Sequence, residues 1–265
     1  MSNACLSTEQ PSGGPVIWTS AQLASISGLS HGFTGRLGGV SSGGPLSGLN
    51  LSLRVGDVRE DVLENQARVA RSLGCSASRL LTVKQVHGDH VVRVTRRAGK
   101  NIEADGIWTT DRGAPISVLV ADCVPIILAD RRARVVAAVH AGWRGTCAKI
   151  AGVMVGALVE AGFEAEELVA AVGPAIGPEC FEIGPEVAEV IRGAYPDAHQ
   201  CLRPGAGDRW VADLWELNRQ CLIESGIPAE QIDVAGLCTY SSEHFYSYRR
   251  DGATTGRQAG VVALD

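Results

Sequence analysis

Apolar runs, more than clean alternation, mark the strands of this chain. ISVLVA (116–121), IILA and VVAAV read as strands covered on both faces, because a strand with one wet face alternates apolar and polar positions. Residues 61–73, DVLENQARVARSL, instead place Val62, Leu63, Ala67, Val69, Ala70 and Leu73 at helical spacing, with Gly74 as the stop. Further helices are predicted over 147–161, 185–194 and 212–225, the first and last stopped by Gly162 and Gly226. LLTVKQVHGDHVVRV reads as strand, turn, strand, and late strands are expected near 232–238, 245–250 and 260–264. Strands and helices mix without strict alternation, which predicts an α+β single domain of mixed sheets flanked by helices. That domain is expected to span 15–265, behind a polar, mobile tail of residues 1–14.

The glycine-rich segment 31–57 changes this picture locally. Phe33, Leu37, Val40, Leu46, Leu49 and Leu51 give it more apolar side chains than a flexible linker carries, so it reads as a long ordered loop whose glycines allow tight turns or close approach to a ligand.

With 265 residues, 45% hydrophobic and 20% charged, the chain can bury a full core, and its net charge of −5 offers no footprint for nucleic acid. No cationic start followed by an apolar run resembles a signal peptide, and no apolar stretch approaches the roughly 18 residues of a membrane span. A cytoplasmic protein without a nucleic-acid or membrane partner, and a monomer, is expected. The eight cysteines stand singly with no CxxC pair, so they read as reduced thiols and exclude a paired zinc finger.

The stretch ADCVPIILADRRARVVAAVHAGWRG (121–145) carries the candidate chemistry. If its two apolar runs form a hairpin turning at Arg131 and Arg132, Asp130 faces Ala133, Ala129 faces Arg134, and Cys123 falls opposite His140. Directly opposed residues share a face with Cβ atoms about 5 Å apart. Pro125 cannot donate to a ladder, so an edge, a bulge or a strand end is expected beside Cys123. A thiol beside an imidazole suits either a nucleophile with its base or two ligands of a metal. His87, at the end of an apolar run in VKQVHG, is a third ligand candidate or a simple turn histidine.

VKQVHG, ADCVPIILAD, HAGWRG and YRRDGATTGR closely resemble the signature segments of the YfiH-like family, also called the laccase-domain or polyphenol oxidase family, and TGRLGGVSSG with LNL and VGD resembles its N-terminal loop. The resemblance runs from about residue 30 to the C-terminus and implies a YfiH/CNF-like fold. It implies a zinc held by His87, Cys123 and His140, which are also the catalytic candidates. Three protein ligands would leave one tetrahedral position for water or substrate. The implied activity is phosphorolysis of purine nucleosides (adenosine, inosine, methylthioadenosine), with adenosine deamination besides, so nucleosides and phosphate are the expected partners. For phosphate, Arg36 in the glycine-rich loop is the first candidate and Arg144 in HAGWRG the second, because arginine's planar fork donates in pairs. Asn50, in LNL, is a candidate substrate contact.

Other cysteines and loops keep two readings. Cys147 falls on the apolar stripe of a predicted helix and reads as core, Cys180 in IGPECFEIG is ambiguous, and RRDGATTGR is either a substrate-facing loop or a charged turn. Among competing functions, a multicopper oxidase needs about ten histidines and often an axial methionine at its blue site, whereas this chain has six histidines and two methionines. Copper at the one Cys/His site stays chemically reasonable. A zinc-free hydrolase that edits peptidoglycan precursors would use Cys123 as nucleophile and His140 as base. A nucleoside-binding regulator would bind without turnover.

Overall fold

The computed structural model describes residues 6–9, 14–75, 80–96, 102–197 and 199–265. Its strands are β1 (Leu6–Glu9), β2 (Ile17–Ser20), β3 (Leu29–Thr34), β4 (Val91–Arg93), β5 (Gly106–Thr109), β6 (Ile116–Val120), β7 (Val124–Asp130), β8 (Val136–Ala141), β9 (Leu168–Val172), β10 (Glu182–Ile183), β11 (Leu202–Pro204), β12 (Trp210–Ala212), β13 (Ile232–Val234) and β14 (Gln258–Leu264). Its helices are α1 (Ala21–Ala24), α2 (Arg59–Ser72), α3 (Trp143–Cys147), α4 (Ile150–Glu160), α5 (Pro185–Ala194), α6 (Leu214–Glu224) and α7 (Tyr248–Asp251).

A six-stranded sheet of order β13-β9-β7-β8-β5-β4 forms the middle layer. It is mixed: β13 runs parallel to β9 and β4 parallel to β5, while β9, β7, β8 and β5 pair antiparallel. Its continuous apolar runs are explained by what covers each face. Ile126, Leu128, Ala137 and Val139 join Met154 and Leu158 of α4, Ile191 of α5 and Leu217 of α6 in one core. Ile127, Ala129, Val136 and Ala138 pack instead against Phe33, Val118 and Val262, which belong to a five-stranded sheet of order β1-β2-β3-β14-β6. Helices, middle sheet and outer sheet thus make an α+β arrangement, with the short β10-β12-β11 sheet beside it. Among the described residues no helix is long and apolar enough to cross a membrane.

Several expectations shift. Residues 6–9 of the segment read as a tail pair with β2 as an edge strand, while 1–5 and 10–13 lie outside the described residues. Of the helix expected over 147–161, residues 150–160 form α4, while Cys147 ends the separate α3, and Lys149 turns left-handed between them at φ 56°. Tertiary partners anchor Thr146 beside the break: the Tyr195 hydroxyl donates to its carbonyl at 2.8 Å and Asn218 Nδ2 to its Oγ1 at 2.9 Å. Arg144, placed just ahead of a helix, is therefore inside α3, and Cys147 closes α3 with its side chain packed on the core. The first strand of the expected pair near 80–94 reduces to isolated bridges, Leu81 with Ile116 and Lys84 with Glu103, because the chain leaves one partner for another within four residues. Residues 245–250 are not a strand either. Phe245 and Tyr246 are buried, and Ser247 caps α7 by accepting from the Arg250 N–H. Residues 31–34 of the glycine-rich segment belong to β3, and 35–57 form an ordered loop with Leu49, Asn50 and Leu51 fully buried.

Candidate metal centre

The strands β7 and β8 do form a hairpin, but in a different register. Pro125 pairs with His140 and Val124 with Ala141, so continuing the ladder would set Cys123 opposite Gly142, not His140. The turn is longer than the sequence reading allowed: the Asp130 N–H bonds the Val135 carbonyl, and Ala133 takes a left-handed φ of 49°. The Asp130 carboxylate stabilises the turn by accepting from the Arg134 and Val135 N–H groups. A shift of two residues keeps every side chain on its face, since strand side chains alternate with period two. Cys123 and His140 therefore still converge. β7 begins at Val124, so Pro125 marks a strand end, as its missing donor requires.

His87, Cys123 and His140 each offer a donor atom, and the three lie within 4.8 Å of one another. The two imidazole rings meet edge to face with centroids 4.8 Å apart. One carboxylate organises the two histidines. Asp105, just ahead of β5 and wholly buried, accepts at Oδ1 from the His87 N–H (2.9 Å) and His140 Nδ1 (2.8 Å). Its Oδ2 accepts from the N–H groups of Gly88 (2.7 Å) and Val86 (3.1 Å). This stabilises the positive φ of 63° at His87, which a non-glycine residue otherwise avoids. It also commits His140 Nδ1, leaving Nε2 to face the other two donors.

A second carboxylate fixes Cys123 from its N-terminal side. Asp122, at φ 84°, accepts from the Thr239 hydroxyl (2.7 Å), the Ser247 hydroxyl (3.0 Å) and the Arg249 N–H (2.6 Å). Burial alone would raise the Cys123 thiol, but the imidazoles of His140 and then His87 overrule it and pull it down to about 6. Burial likewise opposes charge on His140, yet the Cys123 thiolate and the Asp105 carboxylate lift it to about 9. The bare triad is thus a thiolate beside an imidazolium, and a soft sulfur with two nitrogens is a donor set suited to zinc or copper.

Gly142 leaves the space that the triad needs. A Cβ there would lie 3.1 Å from Cys123 Sγ and 3.2 Å from His87 Cδ2, although the backbone itself, at φ −71°, would accept alanine. Gly142→Ala is expected to fold normally and to bind a divalent ion on the order of 10-fold more weakly, by analogy with other disturbances around metal ligands. Competition with a chromophoric chelator measures this, and unchanged affinity would show that the pocket has slack.

The triad opens into a cavity of about 900 Å³. Among the described residues its charged lining is one-sided: Arg54, Arg96, Arg144, Arg249 and Arg257 against a single acid, Asp122, which is already engaged. Arg144 lies over the Trp143 ring at 4.3 Å. Arg257 is half-buried, and burial lowers its guanidinium against the pull of Cys123 and Asp122. Its Nη1 donates to the Thr255 and Gly256 carbonyls, which are neutral acceptors, and among the described residues it makes no ion pair with a carboxylate.

Arg36 is not among the lining residues. Its guanidinium sits over the Tyr246 ring at 5.0 Å and donates to the Ser47 carbonyl. Asn50 does not line the cavity either. Its side chain donates to Asp57 and to the Ser52 carbonyl, and its Oδ1 accepts from the Arg257 N–H at 2.9 Å, so it fixes the backbone of an arginine that does. The sequence reading passed over Asp105, Asp122, Arg54, Arg96 and Arg249 as individual residues. For Arg249 and Arg257 the cation-rich YRRDGATTGR was the available signal, and of its two readings the structure places both arginines on the cavity.

A family model described as multi-copper polyphenol oxidoreductase laccase matches residues 30–265. The chain is 41% identical over 234 residues to the purine nucleoside phosphorylase of Deinococcus radiodurans, covering 88% of each protein. It is 38% identical over 230 residues to the purine nucleoside phosphorylase YfiH of Escherichia coli, covering 86% of this chain and 91% of that one. The crystal structure of YlmD from Geobacillus stearothermophilus matches it with a TM-score of 0.88 at 33% identity, over 97% of this chain and 98% of that one.

Proposed function

Because the chain belongs to the YfiH-like, laccase-domain family, we propose that it is a purine nucleoside phosphorylase whose His87, Cys123 and His140 hold one divalent ion, zinc in preference to copper. The observation that carries the reading is the arginine-lined cavity opening onto the triad, whose cations make no ion pair with a carboxylate among the described residues. A cavity of this size falls within the roughly 300–1,000 Å³ of small-molecule sites. Adenosine, inosine and methylthioadenosine are the substrates considered, with adenosine deamination as a second activity.

In phosphorolysis a phosphate oxygen forms a bond to the ribose C1′ as the bond from C1′ to the purine nitrogen breaks, and positive charge develops on the sugar. The chain's part is to hold phosphate and exclude water. Arg257, with Arg144 and Arg249, supplies planar donor pairs for the dianion in place of Arg36. Ile176 and Phe181 give the cavity apolar walls near the site, against which a base can lie. Asp105 keeps His140 in one tautomer by accepting its Nδ1 proton. When bound, the ion contributes a Lewis acid that draws electron density from the atom it meets.

Purified protein incubated with each nucleoside, with and without phosphate, tests the reading. Free base that forms only with phosphate is expected, whereas inosine formed from adenosine reports deamination. No product from any nucleoside under either condition would overturn the phosphorylase reading. Arg257→Ala is expected to raise KM for phosphate about 10-fold or more while nucleoside binding persists, and Arg257→Lys to recover little, because an ammonium cannot donate in a planar pair. Equal KM values in wild type and Arg257→Ala would remove this arginine from the phosphate site.

The thiolate beside an imidazolium is also what a zinc-free Cys123 hydrolase acting on peptidoglycan precursors would present. Metal content decides between them. Stoichiometric ion masks Cys123 from alkylating reagents, and a metal-free, freely alkylated and active enzyme would favour the hydrolase. A multicopper assembly finds no counterpart in the donors: the one group of three or more potential ligands among the described residues is this triad.

A further inference from the structure

A second cysteine site lies behind the cavity wall, on the turn 177–181 and the loop 237–241. The two segments are stitched together: the Ala175 N–H bonds the Leu237 carbonyl and the Thr239 N–H bonds the Ala175 carbonyl. At this junction Gly177 donates its N–H to Cys238 Sγ at 3.2 Å and accepts at its carbonyl from the Cys180 N–H at 2.9 Å. The backbones approach so closely that a Cβ on Gly177 would lie 3.1 Å from Cys238 Cβ. Tyr240 and Ser241, next along the loop, also favour the anion of the Cys238 sulfur, and Cys180 is near enough for Cys238 to act on it in turn. Donors gathered on one sulfur stabilise its anion. Burial opposes that, and the donors prevail, so Cys238 is held below the usual thiol value. Cys180 is shifted upward by burial and by its neighbour Cys238. Both side chains are only partly buried.

We propose that Cys238 and Cys180 are a peroxide-sensitive thiol pair, Cys238 as the attacking sulfur and Cys180 as the resolving one, which closes to a reversible disulfide. In the first step the Cys238 sulfur forms a bond to one oxygen of hydrogen peroxide, the oxygen–oxygen bond breaks, and the departing hydroxide takes a proton to become water. Cys238 is thereby oxidised to a sulfenic acid and the peroxide reduced. In the second, the Cys180 sulfur attacks that of Cys238, the sulfur–oxygen bond breaks, and the leaving hydroxide carries off the Cys180 proton as water. Two thiols and one peroxide give one disulfide and two waters. The bond would tie the turn preceding Phe181, which lines the cavity, to the loop whose Thr239 holds Asp122.

The test uses full-length, metal-loaded protein and hydrogen peroxide, with peptide mapping by mass spectrometry. In reduced protein at neutral pH, iodoacetamide is expected to label Cys238 about 10-fold faster than Cys147, whose thiol burial pushes up to about 11. Ser241→Ala should narrow that lead. Peroxide should produce a linked peptide joining Cys180 and Cys238, released by dithiothreitol. In Cys180→Ser, checked for an unchanged melting temperature, it should instead leave a sulfenic acid on Cys238 that dimedone traps. Equal labelling of Cys238 and Cys147, or crosslinks spread among the cysteines without the Cys180–Cys238 peptide, would overturn the proposal. If Cys180→Ser fails to fold, the linked peptide in the unmodified chain and its loss in Cys238→Ser decide the matter.

Discussion

Cys123→Ala is expected to leave the protein folded, to reduce bound divalent ion well below one equivalent, and to slow phosphate-dependent nucleoside cleavage by about 10³-fold or more, roughly 4 kcal/mol of transition-state stabilisation. The size follows from the donor count. Three side chains make the site, and removing the sulfur leaves two nitrogens with no anionic ligand. The fold survives because Cys123 is partly exposed and lies outside the ladder of β7. His140→Ala should lose as much activity and more stability, since it strips Oδ1 of the buried Asp105 of its side-chain partner. Elemental analysis beside initial rates reads both effects. A metal-free Cys123→Ala protein turning over inosine at the normal rate would remove the triad from the reaction.

The meeting of Cys123 with His140 was legible because it rests on alternation, which two-residue errors in register do not disturb. The register itself was not. It depends on Ala133 adopting a left-handed conformation and on the Asp130 carboxylate closing a longer turn, and alanine gives no sign of either. Periodicity marked the helices where one element buries one stripe, as in α2 and α5, and failed at Lys149, where Tyr195 and Asn218 from distant segments stabilise a break. The phosphate candidates show the same division. A glycine-rich loop with an arginine suggested Arg36, but Tyr246 holds that side chain away from the cavity lining, and the lining arginine whose Nη1 meets only carbonyls, Arg257, follows GATTG near the C-terminus. Asp105 and Asp122 could not be found from local pattern at all. Each is a single acid whose partners lie 17 to 35 residues away for Asp105, and 117 to 127 away for Asp122.

Asp105→Asn is expected to weaken divalent-ion binding about 10- to 100-fold and to cost about 1–3 kcal/mol of stability, although the side chains are nearly the same shape. Four donors converge on the two oxygens, the His87 N–H and His140 Nδ1 on Oδ1 and the N–H groups of Val86 and Gly88 on Oδ2. An amide has one oxygen, so either way round its NH₂ group points donors at donors. If nitrogen takes the Oδ1 position, His140 must flip its proton or turn its ring, and Nε2 is no longer held for the ion. If it takes the Oδ2 position, the loop bearing His87 loses the bonds that stabilise its positive φ. The loss is therefore one of positioning, and saturating zinc should restore most of the turnover in Asp105→Asn while restoring none in Cys123→Ala. Zinc titration of both variants, followed by activity and by thermal melting, separates the two. Wild-type zinc affinity in Asp105→Asn would show that the ligands hold their places without the carboxylate.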